Sequence, residues 1–261
     1  MNDDTRKYTD NELAENKLII IQLFYKNVKG KKADVEKDNI RHDGRKGHWL
    51  ETAMGLSHNG DNAPDILGYE MKNQTTSKTT FGDWSGDYKI FGSRYSGKDI
   101  TQDEFVQIFG SPNIKKEGRY SWSGSVSPKI NNYNFAGQKL IVDHSGIQAI
   151  YSYSMDTRKE KGLVVPTRYQ IDNLILESWS RDYIKKRLNK FENGWFKVLT
   201  DTEGIYINIV FGDGIDVDAF LQYVKTGDIF FDSGMYFGNA RPYSQWRANN
   251  TLWNKLITSQ Y

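Results

Sequence analysis

The sequence predicts an α/β protein with a mixed central sheet, and three observations predict it. A helical stretch, a turn and a strand follow one another near the N-terminus, and short β-branched or aromatic runs then alternate with helical spacing as far as the C-terminus. With 261 residues, 38% of them hydrophobic and 14% aromatic, there is enough apolar material for one large core or two small ones.

Each element has a local reason. Leu13, Leu18, Ile19 and Leu23 fall on one side of a helix over Asn11 to Tyr25, and Gly30 stops it. A polar, basic connection from Lys31 to Lys46 leads to a second helix, Gly47 to Met54, closed by Gly55 as the residue after the cap. The turn formers from Asn59 to Pro64 precede a strand expected to begin at Asp65. A short helix is expected over Gln102 to Phe109, with extended chain from Arg119 to Val126. Leu140 to Asp143 and Ile147 to Tyr153 read as a hairpin turning at Ser145-Gly146. Leu174, Ile175, Ile184 and Leu188 predict an amphipathic helix over Gln170 to Phe191. Strands follow at Phe196 to Thr200 and Ile205 to Phe211, then a helix at Asp216 to Val224 and a strand at Ile229 to Phe231. No Pro-, Gly- or Ser-rich linker divides the chain, so residues 1–261 are expected to act as a single unit, with 1–110 and a 111–261 portion that has a β-rich middle as possible lobes.

Composition excludes several classes. The chain has no cysteine, which removes disulfides, thiolate metal sites and cysteine nucleophiles and leaves oxygen and nitrogen to do any chemistry. A net charge of +2 means that any nucleic-acid face must come from local segregation of charge. The apolar run Leu18 to Leu23 is too short for a signal segment or a membrane span, so a soluble cytoplasmic protein is expected. The histidines His42, His48, His58 and His144 are too scattered for a zinc site, and no GxxxxGK[ST] loop indicates ATP hydrolysis.

The most informative stretch is Pro64-Asp65-Ile66-Leu67-Gly68-Tyr69-Glu70-Met71-Lys72. Glu70 and Lys72, two apart, share a strand face, whereas Asp65 is offset from Glu70 by an odd number of residues. A bend at Gly68 is therefore needed to bring the carboxylates together. Two carboxylates can hold Mg²⁺ through oxygen, and the metal activates water and neutralises the attacked phosphate. An ammonium beside them orients that water and stabilises charge building on the phosphoryl oxygens. The plain alternative for such a string is a solvated strand face. The helix before it adds Glu51, one turn after the Gly-rich basic stretch Arg41 to Gly47 and directed towards the coming strand.

Taken together, Lys46-Gly47 to Glu51, Pro64-Asp65 and Gly68 to Lys72 resemble the catalytic core of the PD-(D/E)xK endonucleases, in particular the group that contains MvaI, BcnI and the repair nickase MutH, and the LlaMI-type enzymes similar to MvaI. The resemblance implies a restriction-endonuclease-like core in which a mixed central β-sheet is flanked by helices. It assigns Glu51, Asp65, Glu70 and Lys72 to the active site, Asp65 and Glu70 as ligands of Mg²⁺, and Lys46 as a further basic residue before the helix. It implies a type II restriction endonuclease acting on double-stranded DNA, paired with a cognate DNA methyltransferase and working as a monomer. A MutH-like nickase and a DNA-binding module without catalysis are the competing readings.

Gly234 to Ala248 combines glycines, aromatics, amides and two arginines, as a recognition loop would. Arg241 and Arg247 suit guanine edges, and Tyr243 suits stacking or phosphate contact. Equally, Trp246 and Trp253 could pack a C-terminal helix and leave the arginines merely exposed. Arg119, among Lys115, Lys116 and Lys129 and near Tyr120 and Trp122, suits the phosphate backbone, and His48 lies beside the proposed site where it could touch phosphate.

Overall fold

A computed structural model describes residues 7–34, 45–56, 63–92 and 100–261. Most of the basic stretch before the second helix, with His42, and the turn formers Asn59 to Asn62, with His58, lie outside the described residues. The first half runs α1 (Asp10–Asn27), α2 (Arg45–Ala53), β1 (Glu70–Asn73), β2 (Lys78–Asp83), β3 (Tyr88–Lys89), α3 (Gln102–Phe109), β4 (Ser111–Asn113) and β5 (Arg119–Trp122). Then come β6 (Ala136–Asp143), β7 (Gly146–Asp156), α4 (Lys161–Val164), β8 (Leu174–Ser180), α5 (Arg181–Leu188), β9 (Trp195–Thr200) and β10 (Tyr206–Gly212). The last are α6 (Val217–Thr226), β11 (Ile229–Asp232), β12 (Met235–Tyr236), β13 (Gln245–Asn249), α7 (Asn250–Lys255) and β14 (Ile257–Gln260).

These elements form two compact units, each assembled from separated segments. The first takes residues 1–79, 187–216 and 250–261 and is built on a four-stranded sheet in the order β1-β9-β10-β14. That sheet is mixed: β1 runs parallel to β9, while β9 pairs antiparallel with β10 and β10 with β14. A capping box starts α1, because Thr9 Oγ1 accepts from the Glu12 amide while the Glu12 carboxylate accepts from the Thr9 amide at 2.8 Å. The helix buries Ile20 and Phe24, α2 buries Leu50, and Met54 is buried just past the end of α2. They join Met71, Phe196, Val198, Ile209 and Phe211 in one core. Each side chain buried in this way contributes on the order of 1.5–3 kcal/mol. Trp49 of α2 stacks on Tyr206 with ring centroids 5.5 Å apart, which fixes the roll of α2 on the sheet.

The second unit takes residues 80–186 and 217–249 and holds the sheets β11-β13-β2, β12-β5-β4 and β3-β8-β7-β6. Its core is aromatic: Trp179 meets Phe231 and Trp246 at centroid distances of 5.0 and 5.1 Å, and Trp122 meets Phe105 at 4.8 Å. Here the sequence misleads. The helix expected over Gln170 to Phe191 is a strand, β8, followed by the shorter helix α5. The cause is burial of a charged side chain: Glu177 is 0% exposed, so polar and apolar positions no longer mark the outer and inner faces of β8. No helix among the described residues is long and apolar enough to cross a membrane.

Candidate active site

The turn ahead of β1 shapes the site. Leu67 and Gly68 both take positive φ, 48° and 87°, so the chain cannot continue as a strand from Asp65 and the regular strand begins only at Glu70. Ile66 and Tyr69 exchange backbone hydrogen bonds of 3.1 and 2.8 Å across this turn. Gly68 is required twice over: by its φ, and because a Cβ there would lie 2.9 Å from the Tyr8 ring. Asn16 and Asn193 donate to the carbonyls of Leu67 and Gly68 at 3.1 and 3.2 Å, which leaves the turn well satisfied. The bend expected at Gly68 is present, and it folds Asp65 back so that its Oδ2 accepts from the Met71 amide at 2.8 Å.

Glu70 is the centre of the cluster. Its Oε1 accepts from Lys72 Nζ at 2.5 Å and from Lys190 Nζ at 2.7 Å, and its Oε2 is buried without a hydrogen-bond partner. Both ammonium groups lie over the Phe191 ring, 5.1 and 5.4 Å from its centroid. Burial opposes charge on Glu70, but Lys72 and Lys190 outweigh it and hold the carboxyl below its ordinary range. Asp65 behaves in the opposite way. Desolvation by the surrounding protein and then the neighbouring Glu70 charge push it up to about 6, although the residue as a whole is exposed. Burial, followed by the charge of Lys72, pulls Lys190 down.

This donor set fits a hard divalent cation. A buried carboxylate oxygen with no partner is expensive, and the charge of the second carboxylate is opposed first by desolvation and then by Glu70, both of which a cation would offset. Among the described residues no three acidic or histidine side chains form a ready-made metal cage. Two carboxylates suffice for Mg²⁺ when water and substrate phosphate complete the shell.

The structure thus brings Asp65, Glu70 and Lys72 together, and it adds Lys190, which the sequence alone does not reveal. Lys190 sits in a 3₁₀ turn, Asn189–Phe191, where nothing local distinguishes it from the basic face of the preceding helix. Glu51 sits on α2, which lies against β1, and its Oε2 is 3.7 Å from His48 Nδ1. Lys197, the register partner of Lys72, is likewise silent in the sequence. It is buried, donates to Asn250 Oδ1 at 3.2 Å and is drawn down by burial to about 8.

The family model described as LlaMI restriction endonuclease matches residues 28–261 of this chain. The chain belongs to the LlaMI restriction endonuclease family. It is also 44% identical to the type II restriction enzyme ScrFI of Lactococcus lactis subsp. cremoris over 266 residues, covering 93% of this chain and 97% of that enzyme. Its activity is therefore that of a type II restriction endonuclease, the site-specific hydrolysis of DNA. The complex of the restriction endonuclease MvaI with its cognate DNA substrate shares the fold, with a TM-score of 0.61 at 15% identity and coverage of 97% of this chain and 99% of MvaI. The restriction-endonuclease-like α/β fold with its mixed sheet is thus the one observed.

A LlaMI-family enzyme must also read DNA, and the remaining candidates for that task are distributed as follows. Lys46 and His48 are exposed on α2, His48 beside Glu51. Arg119 on β5 lays its guanidinium 3.5 Å from the centroid of the Tyr236 ring. Arg241 is 66% exposed, lies 4.7 Å over the Tyr243 ring and pairs with Asp83 at 3.2 Å. Arg247 differs from it. It lies within β13, is 24% exposed, pairs with Asp232 at 3.6 Å and donates to Gln245. The segment expected as one recognition loop is in fact β12, a connection and β13, and Trp246 and Trp253 are both buried.

Proposed function

We propose that this enzyme cuts both strands of double-stranded DNA at a short sequence in a Mg²⁺-dependent reaction, with Asp65 and Glu70 holding the ion. One observation carries this reading: Glu70 has Oε1 clamped by two lysines and Oε2 buried and unsatisfied beside Asp65. When bound, the ion supplies an activated water and neutralises charge on the scissile phosphate.

The chain's own groups do the rest. Asp65 is held towards β1 by the Met71 amide and is deprotonated above about pH 6. Lys72 stands at the site as a hydrogen-bond donor that orients the attacking water and stabilises the charge developing on the phosphoryl oxygens. Lys190 shares the Glu70 Oε1 with Lys72, which fixes the carboxylate and leaves Oε2 as the oxygen that would hold the ion. Glu51, on α2 beside β1, is proposed as the additional carboxylate at the rim, with Lys46 and His48 near the phosphates. Arg241 and Tyr243 are proposed to contact base edges, Arg119 the backbone, and Arg247 guanine once released from Asp232. A cognate methyltransferase protecting the host sequence, action as a monomer and a cytoplasmic location complete the proposal.

The test is digestion of a sequenced plasmid with Mg²⁺, followed by mapping of the ends. Discrete linear fragments with a common end sequence are expected. Accumulation of nicked circles alone, or specific binding without cleavage in either Mg²⁺ or Mn²⁺, would overturn it.

A further inference from the structure

In the second unit, Glu177 is fully buried in the middle of β8, far along the chain from the segments it contacts. Its Oε1 accepts from the Gly86 amide at 2.6 Å and from the Ser244 hydroxyl at 2.9 Å, while its Oε2 is buried without a partner. Gly86 and Ser244 belong to two strand-flanking segments that meet nowhere in sequence: the turn after β2 and the connection that leads into β13. Further bonds stitch the same two segments. The Ser244 amide donates to Asp83 Oδ1 at 2.7 Å, the Trp84 amide donates to the Ser244 carbonyl at 2.8 Å, and Ser85 Oγ donates to the Pro242 carbonyl at 3.3 Å. Trp179 Nε1 and Tyr183 Oη hold the turn from the other side through the carbonyls of Trp84 and Ser85, each at 2.5 Å. The approach is close enough that a Cβ on Gly86 would come 2.4 Å from the Ser178 carbonyl and 2.7 Å from Glu177 Cγ.

Immediately before Ser244 lie Tyr243 and the exposed Arg241, whose guanidinium rests between the Tyr243 ring and Asp83. The carboxylate beneath them is costly to bury, since burial pushes it up to about 7, and an apolar side chain would fill the core of β8 at lower cost. What Glu177 supplies that an apolar residue cannot is an acceptor placed for both segments at once. We propose that Glu177 is the positioning residue for DNA recognition, holding Ser244 and the adjoining Arg241–Tyr243 arm against the 83–86 turn. This rests on the reading that Arg241 contacts DNA. A side chain fixed in this way enters the complex already ordered, so less freedom is lost on binding the cognate site than with a mobile arm.

The experiment compares wild type with Glu177→Ala, Glu177→Gln, Ser244→Ala and Arg241→Ala. Binding to a short duplex centred on the mapped cleavage site, and to a scrambled duplex, is measured by fluorescence anisotropy in Ca²⁺, with the melting temperature of each protein as a control. Glu177→Ala and Ser244→Ala are expected to lose about tenfold in cognate affinity, with scrambled-duplex affinity unchanged, and Glu177→Gln, which keeps an acceptor oxygen, to restore most of it. Should Glu177→Ala fail to fold, Ser244→Ala, which removes a single hydroxyl, decides the matter. If Arg241→Ala lowers cognate affinity while Ser244→Ala does not, or if Gln fails to restore what Ala loses, the positioning role is overturned. If Arg241→Ala itself changes nothing, the recognition reading beneath it has failed instead.

Discussion

Lys190 Nζ lies 2.7 Å from the same Glu70 oxygen that Lys72 reaches at 2.5 Å, so one carboxylate oxygen carries two ammonium groups while its twin carries none. The asymmetry leaves a fixed, ionised oxygen available to the proposed metal ion. Lys190→Ala is therefore expected to lower the single-turnover cleavage rate by about 10- to 100-fold, the usual effect of losing a group that orients a metal ligand. Raising Mg²⁺ should recover part of the loss. A rate equal to wild type at low Mg²⁺ would remove Lys190 from the site.

Asp65→Ala, Glu70→Ala and Lys72→Ala are each expected to reduce plasmid cleavage to background while leaving the circular dichroism spectrum unchanged. All three side chains gather at the end of β1 rather than in the apolar core. Retained cleavage by any one of them would exclude that residue from the chemistry.

Asp65 predicts the pH dependence. Its carboxyl is raised to about 6, and as a proposed metal ligand it would have to be deprotonated, so protons would compete with metal below that value. At subsaturating Mg²⁺, kcat/KM should be level above about pH 7 and fall about tenfold per unit below pH 6. A profile with no break between pH 5 and 7 would contradict this.

Glu177 gives a stability prediction with a definite sign. Burial raises it from 4.5 to about 7, so between those values the folded protein holds a proton that the unfolded chain has released. Stability from this group therefore falls as pH rises through that window. Glu177→Gln should match wild type near pH 5 and exceed it by on the order of 1–3 kcal/mol at pH 8, read by thermal or urea unfolding. Equal differences at both pH values would show that the carboxyl does not titrate in this range.

Arg241→Ala is expected to weaken cognate binding by about 1–3 kcal/mol for each guanine that the side chain reads, measured as the change in Kd for the cognate duplex. Arg247→Ala has to be read with its Asp232 and Gln245 partners in mind, because the side chain is half-buried and part of its cost will fall on stability.

Much of this is legible in the residues themselves. Gln102–Phe109 is readable to the residue because a Thr-x-x-Glu box marks its start and Gly110 follows its end. The convergence of Asp65 and Glu70 follows from the odd spacing and from Gly68. What escapes is of two kinds. Lys190 is brought to the site by the turn before β9, which pairs in parallel with β1, and no local pattern announces a pairing so distant in sequence. The strand β8 is hidden because a buried carboxylate in its middle breaks the alternation by which strands are recognised.

The most direct test is Mn²⁺ binding to the complex of the enzyme with its cognate duplex, followed by electron paramagnetic resonance in wild type and in Glu70→Gln and Asp65→Asn. Saturable binding in wild type, lost or weakened at least about tenfold in both variants while duplex affinity in Ca²⁺-free buffer persists, is the predicted result. Undiminished Mn²⁺ affinity in both would mean that the ion is held elsewhere and that the Asp65–Glu70 pair is not its seat.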